Sequence, residues 1–126
     1  MFTHVVVGSN DLPKARKFYD ATFAALGAKP GMDADYRIMY SHAGANFIVT
    51  TPIDGEPATV ANGGTIGFAA SGPEQAEAWH AAGVANGGTT CEDPPGIRDL
   101  GFMKLHLAYL RDPDGNKLCT MWVVKE

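Results

Sequence analysis

The sequence predicts an α+β fold in which one βαβββ unit is used twice. Three observations predict it: a gapless internal repeat, a helix in each copy with matching start and stop signals, and alternating strand patterns after each helix. Residues 3–27, THVVVGSNDLPKARKFYDATFAALG, lie over residues 64–88, GTIGFAASGPEQAEAWHAAGVANGG, at an offset of 61. Val5 then falls on Ile66, Val7 on Phe68, Ala15 on Ala76, Phe18 on Trp79, Phe23 on Val84 and Gly27 on Gly88. Few residues are identical; the physical pattern is what repeats.

Each copy opens with a short strand, HVVVG and then TIGFAA, rich in β-branched or aromatic residues. A helix start follows. Asp11 or Asn10 caps the first helix, with Pro13 in its first turn. Ser71 or Gly72 caps the second, with Pro73 near its first position and Glu74 beside its positive end. Leu12, Ala15, Phe18, Tyr19, Phe23 and Leu26 recur at helical spacing in the first copy, and Ala76, Trp79, His80 and Val84 in the second. Gly27 and Gly87 supply left-handed stops. The pattern then changes to period two. Strands are expected near 36–41 and 46–51, and near 105–111 and 117–123. The last pair is joined by DPDGN, a hairpin signal. Shorter strands are expected near 28–31 and 89–92. The first unit therefore covers about residues 1–53, the linker DGEPATVANG residues 54–63, and the second unit about residues 64–126, all in one domain.

Composition narrows the class. With 45% hydrophobic and 19% charged residues the chain reads as an ordinary soluble domain. A net charge of −4, with ten scattered Lys and Arg, argues against a nucleic-acid partner. No apolar run approaches the roughly 20 residues that span a bilayer, so no membrane partner is expected. MFTHVVVGSND reads as a first strand, not a signal peptide. Cys91 and Cys119 make no disulfide framework and point to reduced thiols in the cytoplasm.

The histidine on the first strand, His4, followed by NDLPKARKFYDATFAALG, and the closing hairpin YLRDPDGNKLC give the chain a family likeness. It resembles, over essentially its whole length, the vicinal oxygen chelate superfamily of glyoxalase I, fosfomycin- and bleomycin-resistance proteins and extradiol dioxygenases. The resemblance implies that the two units form a cupped mixed sheet with helices outside, and that the protein is a homodimer. It also implies bidentate chelation of an oxygenated substrate by a divalent metal whose ligands come from four strands. Those positions are His4, Ile48, Thr65 and Cys119 here. Only His4 is a usual ligand. Ile48 has no donor, Thr65 stands where many members carry histidine, and Cys119 stands where glutamate is expected. A classical three-ligand site is therefore not present, and the expectation is no metal or an atypical one, zinc being the best match to cysteine and histidine.

The resemblance and the residues together give the candidate site. His4 is an acid/base group or the sole classical metal ligand. Cys119 and Tyr109 join it as catalytic candidates, and Thr65, Ile48 and Arg98 as substrate-binding candidates. Each has a plainer reading. His4 serves as a pocket histidine, Cys119 as a small buried apolar residue, Tyr109 as strand filler and Arg98 as a solvated loop tip. A reactive Cys119 needs a nearby cation, and His4 is the expected activator. Asp112, Pro113, Asp114 and Gly115 read as turn chemistry. EDPPGIRDLGFMK, residues 92–104, reads as a loop over a binding site. His106 is expected outside the pocket, His42 and His80 near the surface, Trp79 and Trp122 in the core, and Cys91 packed on a strand.

Two functions fit. The first is a small-molecule pocket protein with a degenerate metal site, lyase- or isomerase-like on a small oxygenated or thiol-conjugated substrate if catalytic. The second is a non-catalytic protein that sequesters an amphipathic, antibiotic-type molecule. A third, metal-dependent reading requires ligands from elsewhere, such as His106 or Asp99.

Overall fold

Residues 1–125 are described by a computed structural model; Glu126, the last residue of the second unit, lies outside them. Strand β1 (His4–Gly8) leads into helix α1 (Leu12–Ala25). Asp11 is the N-cap: its Oδ1 accepts the Lys14 N–H at 3.1 Å, which satisfies one of the helix's orphan donors. Asn10 does something else. Its Nδ2 donates to the Ala58 carbonyl at 3.1 Å and its Oδ1 accepts the Ala58 N–H at 2.7 Å. This clasps the linker across the end of β1, where a Cβ on Gly8 would stand 2.9 Å from Ala58 Cβ. Gly27 follows the helix with φ +90, the left-handed conformation expected of a stop.

Strands β2 (Met32–Ala34), β3 (Arg37–His42) and β4 (Ala45–Thr50) complete the first unit. The order is β1-β4-β3-β2, with β1 parallel to β4 and the other pairs antiparallel. β2 starts later than expected, because Pro30 has no N–H and the Gly31 N–H is taken by Asp20 Oδ1 at 3.1 Å.

The second unit repeats the theme. Strand β5 (Ile66–Ala69) precedes helix α2 (Pro73–Ala85), which starts 61 residues after α1. Gly72 is its N-cap and makes no side-chain bond; instead Gln75 Oε1 reaches back to accept the Ser71 N–H at 2.7 Å. Strands β6 (Thr89–Thr90), β7 (Gly96–Asp99), β8 (Lys104–Arg111) and β9 (Lys117–Val123) follow. The order is β5-β9-β8-β6, with β7 also antiparallel to β8. β7 corrects the expectation of an unstructured loop at 92–104. Its four residues, GIRD, are too few and too polar to show an alternating pattern, yet Gly96–Asp99 pair with Lys104–Leu107. β6 ends early because Glu92 takes φ +59, which breaks an extended run. The cup is thus built from two separately hydrogen-bonded sheets.

One core joins them. Phe18, Tyr19 and Phe23 from α1 pack with Ile38, Tyr40, Phe47 and Val49 from the first sheet and with Trp79, Leu110 and Leu118 from the second unit. Val84 was placed on the apolar face of α2 but is 47% exposed. Gly83 makes the contact instead: a Cβ there would stand 2.3 Å from Leu110 Cδ1. Trp122 is half-buried, opposite His106, and not fully in the core.

Asp112 ties the units together. It is 3% exposed and accepts the Tyr19 hydroxyl at 2.6 Å, the Asn116 side-chain amide at 2.8 Å and the N–H groups of Asp114 and Asn116, both at 2.9 Å. Asn116 Nδ2 also donates to the Gly8 carbonyl at 3.1 Å, and Asp114 Oδ1 accepts the Asn10 N–H at 2.8 Å. The turn therefore docks on the junction of β1 and α1.

Two buried phenols make the fold sensitive to alkali. Burial, then Asp112, pushes Tyr19 well above its ordinary value; burial, then the hydrogen bond to Asp20, does the same for Tyr40. A folded-state pKa above the unfolded one stabilises the protonated form, so this contribution is complete below about pH 10 and is lost as the pH rises further. The urea midpoint should fall steadily above about pH 10, and Tyr40→Phe should flatten that fall.

Candidate functional site

Strand alternation separates two faces on each sheet. In the first sheet Val5, Val7, Phe47 and Val49 face the core, so His4, Val6 and Ile48 turn away from it. His4 stands opposite Asn46, and Ile48 lies between Val6 and Met39. His4 is exposed, and its Nδ1 shares a 2.8 Å hydrogen bond with Thr3 Oγ1.

In the second sheet Leu118 faces the core, and Cys119 and Tyr109 stand directly opposite each other on the other face. Cys119 is also opposite Gly67, and a Cβ at Gly67 would stand 3.3 Å from its Sγ. The sulfur thus fills space that only glycine leaves. Burial pushes the Cys119 thiol up, and Glu92 adds to this; Lys117 opposes it. The charged groups acting on the Cys119 thiol are Glu92 and Lys117, with Cys91 beside them.

Lys117, two residues before Cys119, holds its ammonium 5.1 Å from the centre of the Tyr109 ring and forms an ion pair with Glu92. Burial raises the Tyr109 phenol. Glu92 and Lys117 were not among the sequence-derived candidates. Their signal was faint: Lys117 is two residues from Cys119, which puts both on one strand face, but nothing local announces that Glu92 folds back beside it.

The remaining candidates are dispersed. Thr65 is exposed and immediately precedes β5. Arg98 spends its guanidinium on its own loop, donating to the carbonyls of Asp93 at 3.0 Å, Pro94 at 3.1 Å and Gly96 at 3.2 Å. Asp99 accepts the Gly101 N–H at 2.9 Å in the β7–β8 turn. His106 is 4% exposed and pairs with Trp122, on the side opposite Tyr109. His42 is exposed and His80 half-buried. Cys91 is half-buried just beyond β6.

One cavity stands out. It holds about 420 Å³, is half open, and lies between the two units at the start of β1. Phe23, Tyr40, Phe47 and Phe68 wall it, with Leu26 and Ile66. The rim carries Thr3, His4, His42 and Asn46. Phe68 meets Phe23 edge-on at 5.1 Å and Phe47 at 5.5 Å, a rigid aromatic wall contributed by both units. Their position at the end of the sheets opens these phenylalanines to a ligand.

The Glyoxalase/Bleomycin resistance protein/Dioxygenase superfamily matches residues 1–120. The chain belongs to this superfamily. A glyoxalase/bleomycin resistance protein from Albidiferax ferrireducens T118 is 58% identical, covers 95% of this chain and 97% of its own, and superposes with a TM-score of 0.92. A glyoxalase/bleomycin resistance protein/dioxygenase family enzyme from Burkholderia phytofirmans PsJN is 14% identical with a TM-score of 0.73, covering 97% of this chain and 98% of its own. Lactoylglutathione lyase from Agrobacterium tumefaciens is 17% identical with a TM-score of 0.66, covering 96% and 92%. These two show the fold alone. No curated protein matches significantly.

The four strand positions that the resemblance assigns to metal ligands, His4, Ile48, Thr65 and Cys119, are poor in donors for a hard divalent ion. Ile48 offers no donor, Thr65 offers a neutral hydroxyl, and burial opposes ionisation of Cys119.

A thiol held neutral is a poor nucleophile. In iodoacetamide labelling at neutral pH, Cys91 should react at least about tenfold faster than Cys119. Peptide mass spectrometry reads the two sites separately, and equal labelling would show that Cys119 is activated.

Proposed function

We propose that this superfamily member binds an amphipathic small molecule in the cavity between its two units, without the divalent-metal chelate. The cavity itself carries the reading: its volume, aromatic walls and few rim polar groups are those of a ligand pocket. Fluorescence titration with 1-anilinonaphthalene-8-sulfonate tests it. Saturable binding at one site per chain, lost in a cavity-filling Ala28→Phe variant that keeps its melting temperature, is the expected result. Non-saturable binding, or binding untouched by the filled cavity, overturns it. Elemental analysis after soaking with Zn²⁺ and Mn²⁺ should return well under one ion per chain; a stoichiometric metal lost in His4→Ala or Cys119→Ala reverses the metal-free reading.

A catalytic reading rests on His4. Its Nδ1 is supported by Thr3 and the residue is exposed, as an acid/base group for lyase- or isomerase-type proton transfer requires. In this reading a homodimer brings the His4–Ile48 face of one copy against the Thr65–Cys119–Tyr109 face of another, because one chain turns these faces away from its shared core. The two free cysteines support a reducing, cytoplasmic setting, and among the described residues no helix is long and apolar enough to cross a membrane.

A further inference from the structure

If the cavity is the ligand site, the internal repeat narrows what its ligand must offer. The two edge strands, β1 and β5, meet their partners in one register: Val5 faces Phe47 as Ile66 faces Leu118, and Gly8 faces Thr50 as Ala69 faces Met121. Ala69 is therefore the mate of Gly8. Ala45, five residues before Thr50, is the mate of Asn116, five before Met121.

In a parallel pair, one residue of a strand turns both backbone groups to its partner and the next turns both away. The Ser9 N–H donates to the Thr50 carbonyl at 2.9 Å, so the backbone of Val5 and Val7 serves β4, and that of His4, Val6 and Gly8 turns outward. The Ala70 N–H donates to the Met121 carbonyl at 3.0 Å, so the backbone of Gly67 and Ala69 turns outward from β5. At one end of the junction between the units, the outward carbonyl of Gly8 accepts the Asn116 amide at 3.1 Å. At the other end Ala45 carries only a methyl, which donates nothing to the carbonyl of Ala69. Both alanines line the cavity. The cavity thus lies where the repeat omits an amide.

The rest of the lining is largely aromatic. Among the described residues that line it there is no Asp, Glu, Lys or Arg. Tyr40 spends its hydroxyl on Asp20 Oδ1 at 2.7 Å. Strand alternation turns the His4 ring to the face opposite Val5 and Phe47. An ionised head would lose water here without gaining a countercharge.

We propose that the cavity takes an uncharged aromatic carboxamide, its ring against Phe23, Phe47 and Phe68 and its amide N–H on the Ala69 carbonyl, as Asn116 serves Gly8.

Calorimetry with 2-naphthamide, the ketone 2-acetonaphthone and 2-naphthoate tests the proposal. The three have nearly one shape, and only the first carries an N–H. The amide should bind at least about fivefold more tightly than either of the others, through one hydrogen bond to an acceptor that they leave bare. Ala45→Asn supplies the missing amide from the protein itself, at an exposed position, and should bring the three affinities together. Equal affinities in the parent protein, a preference for the ketone or the acid, or an amide preference that survives Ala45→Asn overturns the carboxamide while leaving the ligand site standing. Failure of all three probes to bind overturns the ligand site as well. The comparison of probes in the parent decides the matter even where Ala45→Asn folds poorly.

Discussion

Asp112→Ala should lower the unfolding free energy by about 3–5 kcal/mol, because it strands several buried donors at roughly 1–3 kcal/mol each. The carboxylate accepts four hydrogen bonds while only 3% exposed. Its removal leaves the Tyr19 hydroxyl, itself fully buried, without its acceptor. The cost exceeds that of a turn residue because the bonds run both within the hairpin and across to the first unit. Asp114→Ala is the control. It loses the bond to the Asn10 N–H, which lies in an exposed setting, and should cost about 1 kcal/mol or less. Urea denaturation of the three proteins checks the contrast. Similar losses for both variants would mean that Asp112 acts only within its turn.

Gly83→Ala should also destabilise, against the ordinary rule. In an exposed helix interior alanine is better than glycine by roughly 1 kcal/mol. Here the new methyl would stand 2.3 Å from Leu110 Cδ1, 3.1 Å from Phe18 Cε1 and 3.3 Å from Thr22 Cγ2. Leu110, Phe18 and Thr22 are all fully buried and cannot swing away. Overpacking of this kind costs typically about 1–3 kcal/mol and outweighs the propensity gain. Thermal and urea unfolding should both show the loss. Stabilisation would show that α1 and α2 can separate at little cost.

The contrast between these residues shows how far the sequence could be read. The repeat, the helix stops and the Asp-Gly hairpin are local signals, because propensity and turn chemistry write them into adjacent residues. Gly83 is not local. Alone it resembles a weak point in a helix, and only the approach of Leu110 from β8 explains it. β7 was hidden for a related reason: an edge strand needs a partner more than it needs an alternating pattern. The candidate site was legible at the level of strand position. The sequence puts His4, Tyr109 and Cys119 on strands, and they lie on β1, β8 and β9. What the sequence did not contain was which faces meet. Glu92 and Lys117 act on the Cys119 thiol, and Arg98, an anion binder by type, is spent on three carbonyls of its own loop.

The Asn10 clasp on Ala58 has a consequence for how copies of this chain find each other. A segment joining two halves that share one core is the place where copies trade halves, since the same contacts form between chains as within one. Whether a chain keeps its own second half depends on what the connecting segment is allowed to do. With both backbone groups of Ala58 held by one amide, the segment is steered back over its own first strand before it is free to wander. Asn10→Ala releases that steering without touching either core, so the variant should populate intertwined dimers that native gel filtration separates from the parent species. A single side chain beside the helix cap, spared from capping, then acts as a guard against entanglement.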